Sequence, residues 1–286
     1  MRAVLLLGLL TVCRGQDFSD FRVERVAANY SFTEGPVWSK EGYLLFSDVP
    51  TNRILKFAPG EGNTVWREKT NGANGNAIDD KGRVYTCESR MRRVIRSDKK
   101  GSIEILAEKF EGKRLNAPND LVVSKNGHVY FTDPAFGAQA DTRELNFYGV
   151  FHISPKGELE VIAKPVGRPN GIAISPNGKT LYVANSDERN VRAYDLEKNG
   201  AATNERILIS DIPGVPDGMK TDEKGNLYVA ARELEIYTPE GKFLHEIAIP
   251  ERPSNVAFGD PDLQGIYVTA RTSVYRIRQE TKGAVQ

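Results

Sequence analysis

An all-β fold, a six-bladed β-propeller around a central channel, is the class this sequence predicts, on three observations. A hairpin-like unit recurs six times, opening at Glu34, Asn74, Asn119, Asn170, Asp217 and Asn255. A glycine stands eight residues after the opening residue in five copies (Gly42, Gly82, Gly127, Gly178, Gly225), and the sixth has two extra residues before Gly265. The openings are spaced by about 40–50 residues, the period of a four-stranded blade.

Each unit carries its own strand signals. The third copy is the clearest: a polar knot Asn116-Ala117-Pro118-Asn119-Asp120, an apolar strand Leu121 to Ser124, a Lys-Asn-Gly turn and an alternating strand His128 to Thr132. After the glycine, Tyr43, Tyr85, Tyr130, Tyr182, Tyr228 and Tyr267 recur in the second strand. Helical solenoids share the period but need long apolar runs at 3.6 spacing, and the runs here are short and broken by Gly, Pro, Asn and Asp. Blade six has three strands after Asn255, so Phe21 to Asn29 is expected to supply the fourth and close the ring. The irregular stretch Ala135 to Asn146 is either a lid over the channel or an ordered crossover.

The 286 residues carry 39 basic and 38 acidic side chains, net charge +1, which gives no field to select nucleic acid. Met1-Arg2, the apolar run Ala3 to Cys13 and Gly15 read as a signal peptide over 1–15, leaving 16–286 as a single propeller that is exported to the periplasm or secreted. The run is too short to span a bilayer. Lipidation at Cys13 is the weaker reading, because Val12 is bulky for that cleavage. Once Cys13 is removed, Cys87 remains alone in a strand pattern, as a small buried hydrophobe.

In a propeller, residues in register on the innermost strands face one channel, so six distant positions become a ring. That ring holds two carboxylates and four amides, all oxygen donors. Glu34, Asn119, Asn170 and Asp217 are the candidate metal set; hard oxygen ligands favour Ca2+, with Zn2+ or Mg2+ as other candidates. One such copy alone would read as an ordinary turn, but two carboxylates facing one channel are costly without a cation. Asn74 is a candidate substrate contact from the ring; Glu88, in the same blade, is a contact or a surface strand residue. His128, His152 and His245 lie outside the register, and no histidine pair is expected in catalysis.

Glu34-Gly35-Pro36-Val37-Trp38, Asn116 to Asp120, Arg168-Pro169-Asn170-Gly171, Asp217-Gly218, Asn255 to Gly259 and Glu144 to Val150 together resemble the gluconolactonase/regucalcin family, the luciferin-regenerating enzyme-like lactonases, over essentially the whole mature chain. The resemblance implies a propeller with a central divalent ion, calcium or zinc, on Glu34, Asn170 and Asp217, with Asn119 as a further ligand or substrate contact. It implies hydrolysis of a small-molecule lactone, with the ion as Lewis acid and a carboxylate base, Asp217 first and Glu34 next. Asp120 follows a ligand, so strand alternation turns it away from Asn119; it orients Asn119, holds a second ion or caps the strand. The arginine that animal members carry two residues before the third-blade asparagine is Ala117 here, and Arg114 is the nearest basic residue for substrate. Two rival readings are a non-enzymatic propeller with a structural ion, binding protein or polysaccharide, and a hydrolase of other esters or phosphotriesters.

Overall fold

The structure, a computed structural model, describes residues 21–284. The leader and the Cys13 reading therefore fall outside the described residues. Six four-stranded antiparallel sheets are present, each built from consecutive strands except the last. The innermost strands are Thr33–Ser39, Ala73–Ile78, Leu121–Val123, Pro169–Ile174, Met219–Thr221 and Pro253–Gly259. In the sixth sheet the outermost strand is Glu24–Ala27, antiparallel to Ser273–Arg278. The expected closure through the N-terminal strand is thus observed, and it joins the two chain ends across one blade. No helix among the described residues is long and apolar enough to cross a membrane.

Six apolar clusters hold the blades together, one at each interface. Side-chain alternation divides each inner strand between two neighbours: Leu121 and Val123 pack towards blade two beside Tyr85 and Cys87, while Val122 packs towards blade four beside Ile172 and Val183. The other interfaces repeat the arrangement between blades four and five, five and six, six and one and one and two. Burying a Phe, Leu or Ile side chain contributes about 1.5–3 kcal/mol, and Phe46, Phe131 and Phe151 are wholly buried in these seams. Cys87 lies in one of them as a free thiol.

Each inner strand is irregular near its start, where the ladder shifts in blades one, two, four and six. In blades three and five two residues face one: Asn119 N–H donates to Thr132 and Thr132 N–H to the Asp120 carbonyl, and Asp217 and Gly218 exchange the same bonds with Ala230. These β-bulges break strand alternation. Alternation alone therefore does not decide on which side Asp120 lies.

The second bulge residue donates its N–H to the first bulge residue of the next blade: Gly75 to Asn119 (2.8 Å), Gly171 to Asp217 (3.2 Å) and Gly218 to Ser254 (2.7 Å). Blade six is thus in register at Ser254, one residue earlier than the sequence spacing indicated. Asn255 is the counterpart of Asp120, and both accept the N–H of the following residue on their own side-chain oxygen.

Glycine at the second position is required by close approach. A Cβ on Gly35 would lie 2.0 Å from the Asn74 carbonyl oxygen, and one on Gly171 2.1 Å from that of Asp217. The Asn-Gly and Asp-Gly pairs that read as turn chemistry mark the places where neighbouring blades touch.

Candidate metal centre and active site

Glycine occupies the second bulge position in four blades, and the two exceptions, Asp120 and Asn255, come from opposite blades, three and six. Their side chains meet at the hub: Asn255 Nδ2 donates to Glu34 Oε2 (3.1 Å) and to Asp120 Oδ2 (3.4 Å). Glu34 also accepts the N–H of Gly35 at 2.7 Å.

Glu34, Asp120 and Asp217 form one electrostatic unit. Glu34 is pushed well above the usual carboxylate range, first by burial and then by the charges of Asp217 and Asp120. Asp217 is raised to about 7, by burial and by Asp120, against the opposing pull of Arg252, a hydrogen bond from Asn170 and Arg271. Asp120 is raised by burial and pulled back chiefly by Lys220. Glu34, Asp120, Asn119 and Asn170 are buried and Asp217 is half-buried.

The remaining candidates divide. Asn170 donates to Ser186 Oγ at 3.0 Å, and Ser186 donates to the Pro216 carbonyl next to Asp217, so both arms of that corner are tied together. Asn119 is carried by the knot 116–118, whose N–H groups at Asn116 and Ala117 donate to the two oxygens of Asp133, each at 2.8 Å. Asn74 has a buried Oδ1 with no partner among the described residues, and its carbonyl accepts the Ser47 hydroxyl. Arg114 lies on the exposed two-residue strand Lys113–Arg114, its backbone N–H bonded to Glu144. No bond among the described residues ties its side chain to the hub.

Glu88 is neither a surface residue nor a free one: it is buried and bonded to Arg67, Arg93 and Asn71. Ala135 to Asn146 contains a 3-10 turn at Gly137–Thr142. It is held from blade two by Arg92, which donates to Thr142, and from blade four by Arg168, whose guanidinium lies 4.6 Å from the Phe136 ring centre.

His128 and His152 form a buried contact with each other at 2.6 Å, beneath Gly200 and apart from the hub. Periodicity could not show this, because the two rings meet across neighbouring strands.

A divalent ion suits the hub on the chemistry of its donors. Three carboxylates whose charges repel one another, with an orphaned amide oxygen at Asn74, are the surroundings in which a bound cation relieves desolvated negative charge. Two of the four candidate donors are amides, and among the described residues no three Asp, Glu, His or Cys side chains converge closely enough to hold an ion without them. With oxygen donors only, the set fits a hard cation. Cys87 is no alternative nucleophile, since burial and then the charges of Asp120 and Asp133 push its thiol up.

Comparison with known proteins agrees with this fold. A family model described as SMP-30/Gluconolactonase/LRE-like region matches residues 32–272. The gluconolactonase of Zymomonas mobilis is 35% identical, across 91% of this chain and 82% of that protein. Diisopropyl-fluorophosphatase of Loligo vulgaris is 27% identical, across 92% of this chain and 93% of that protein. Among solved structures, a gluconolactonase of Xanthomonas campestris superposes with a TM-score of 0.86 at 30% identity, covering 92% of this chain and 91% of that one.

Proposed function

The chain belongs to the SMP-30/gluconolactonase/LRE-like family, and from that premise we propose that it opens a sugar lactone such as glucono-1,5-lactone with the help of a divalent ion, Ca2+ by preference. It is a hydrolase of carboxylic ester bonds of the gluconolactonase-like kind. The observation that carries the reading is the convergence of Glu34 and Asp217 on one hub, where the charge of Asp217 raises Glu34 and Asn170 is tied through Ser186 to the Pro216 carbonyl beside Asp217.

Glu34, Asn119, Asn170 and Asp217 would hold the ion. When bound there, it supplies Lewis-acid polarisation of the lactone carbonyl and positive charge for the developing oxyanion. The two carboxylates differ in freedom. Glu34 is buried and fixed by the Gly35 N–H and the Asn255 amide, which suits a ligand. Asp217 is the more exposed of the two, which leaves it the freer carboxylate to take a proton from the attacking water. Asn170 orients Asp217, and Asp120 with Asn255 fixes Glu34 from the far side.

The test is hydrolysis of glucono-1,5-lactone by purified protein after EDTA and after adding back calcium, zinc or magnesium, with spontaneous opening subtracted. Activity restored by metal and absent in Asp217→Ala supports the reading. Metal bound at the hub with no lactone or ester turned over leaves the ion a structural role. Diisopropyl fluorophosphate, a dialkyl phosphorofluoridate, belongs in the same panel, because the Loligo relative favours a phosphorus ester as the second reading. Export is part of the proposal, on the composition of residues 1–15; N-terminal sequencing of protein from its native host checks it.

A further inference from the structure

On the side of Asp120 and Asn255 away from the first bulge residues, the later halves of the inner strands enclose a cavity of about 200 Å3. Its lining includes Val37, Trp38, Ile78, Phe258, Leu263 and Ala284, and all six are half-buried, apolar side chains left partly open. One wall is made by the C-terminal segment. Gly283 N–H donates to the Leu263 carbonyl (2.9 Å) and Ala284 N–H to that of Thr221 (3.0 Å), which clips the segment across blades five and six. Leu263 holds a left-handed backbone (φ 59°) at this clip, a conformation a branched side chain adopts only when its surroundings impose it.

Two lysines belong to the lining. Lys40 is paired with Asp80 at 2.5 Å. Lys220, on the inner strand of blade five, is half-buried, and its side chain has no hydrogen-bond or ion-pair partner among the described residues. Of the acids at the rim, Asp79 is engaged by Arg83 and Tyr85, and Asp80 by Lys40. The Lys220 ammonium, which feels the charge of Asp120 but makes no direct ion pair, is a recognition element: convergent polar groups in an otherwise apolar pocket orient a ligand. One positive charge with Asp120 behind it accepts a monoanion and repels a second negative charge.

We propose that this lower vestibule is a second binding site, separate from the hub, for a small monocarboxylic acid with an apolar body. Its carboxylate pairs with Lys220 and its body packs on Trp38 and Phe258. The site does not depend on the lactonase reading, because the Asp120–Asn255 contact lies between it and Asp217.

The test is titration of the purified full chain with benzoate and hexanoate, read by calorimetry and by the fluorescence of Trp38, one of two tryptophans in the chain. Saturable one-to-one binding is expected, at least tenfold weaker in Lys220→Met, largely retained in Lys220→Arg and weakened in Phe258→Ala. Cyclohexylmethanol, which lacks the charge, should bind at least tenfold more weakly than either acid, and Asp217→Asn should leave acid binding unchanged. The proposal is overturned by absence of saturable binding, by equal affinity in the Met, Arg and wild-type proteins, or by loss of binding in Asp217→Asn. Phe258→Ala leaves Lys220 in place, so wild-type affinity in that variant also overturns it, whatever the folding of Lys220→Met.

Discussion

Asp120 and Asn255 enter the hub from opposite blades and meet there, with the Asn255 amide 3.4 Å from Asp120 and 3.1 Å from Glu34. They are the two second-bulge residues that are not glycine, and one neutral donor joins two acids that would otherwise only repel.

Asn255→Ala removes that donor. Leaving a buried hydrogen-bond partner unsatisfied costs about 1–3 kcal/mol, so the metal-free variant should lose about that much stability. Urea denaturation measures it; an unchanged midpoint would show that the bridge is not made in solution. Asn255→Asp adds another acid, and should be less stable than Asn255→Ala without metal and regain more on calcium addition.

Gly171→Ala places a methyl group 2.1 Å from the Asp217 carbonyl oxygen, which as backbone of the next blade cannot swing aside. Overpacking of this kind costs about 1–3 kcal/mol, and it also displaces Asp217. Gly60→Ala meets no atom within 4 Å and bears only its left-handed backbone (φ 84°), at about 1–2 kcal/mol. Equal activity in the two variants would refute the close-contact account; Gly171→Ala should lose activity and Gly60→Ala should not.

The hub acids predict the pH dependence of the metal-free protein. Asp217 is raised to about 7 and Glu34 well above its ordinary range, so the folded state binds their protons more tightly than the unfolded chain. The Asp217 contribution is fully present below the ordinary carboxylate range and is lost as pH rises through about 7, with a slope of up to about 1.4 kcal/mol per pH unit per proton, and Glu34 acts in the same direction. Asp133, also raised to about 7 by burial, adds to the slope. EDTA-treated protein should therefore unfold more easily at pH 8 than at pH 6, calcium should reverse the order, and Asp217→Asn should flatten the metal-free profile. A profile in Asp217→Asn identical to wild type would contradict the assignment.

The buried histidines act in the opposite sense. Burial lowers His128, and burial followed by the charge of His128 lowers His152. Their contribution is present above the ordinary histidine value of 6.5 and fades as pH falls below it. Calcium-loaded protein should lose stability between pH 6.5 and 5, and a His128→Phe, His152→Phe double variant should lose less over that window. Thermal melts across the window decide this; parallel curves would count against the pair.

The number of blades and the closing strand were legible in the sequence, because a repeated hairpin writes its period into the chain. The candidate ligands needed no contact information beyond that register. Asp120 and Asn255 were read less well. Two bulged residues opposing one, as at Asn119-Asp120 against Thr132, move the strand out of phase, and in blade six the phase moves at Ser254, where no glycine marks it. Spacing alone therefore placed Asn255 in the wrong row and left the contact of Asp120 with Asn255 unseen. The His128–His152 contact, the burial of Glu88 between two arginines and the place of Lys220 in the cavity lining were likewise decided by tertiary structure. Each depends on which side chains meet across strands and blades, and a linear pattern records the side on which a residue points but not what stands opposite it.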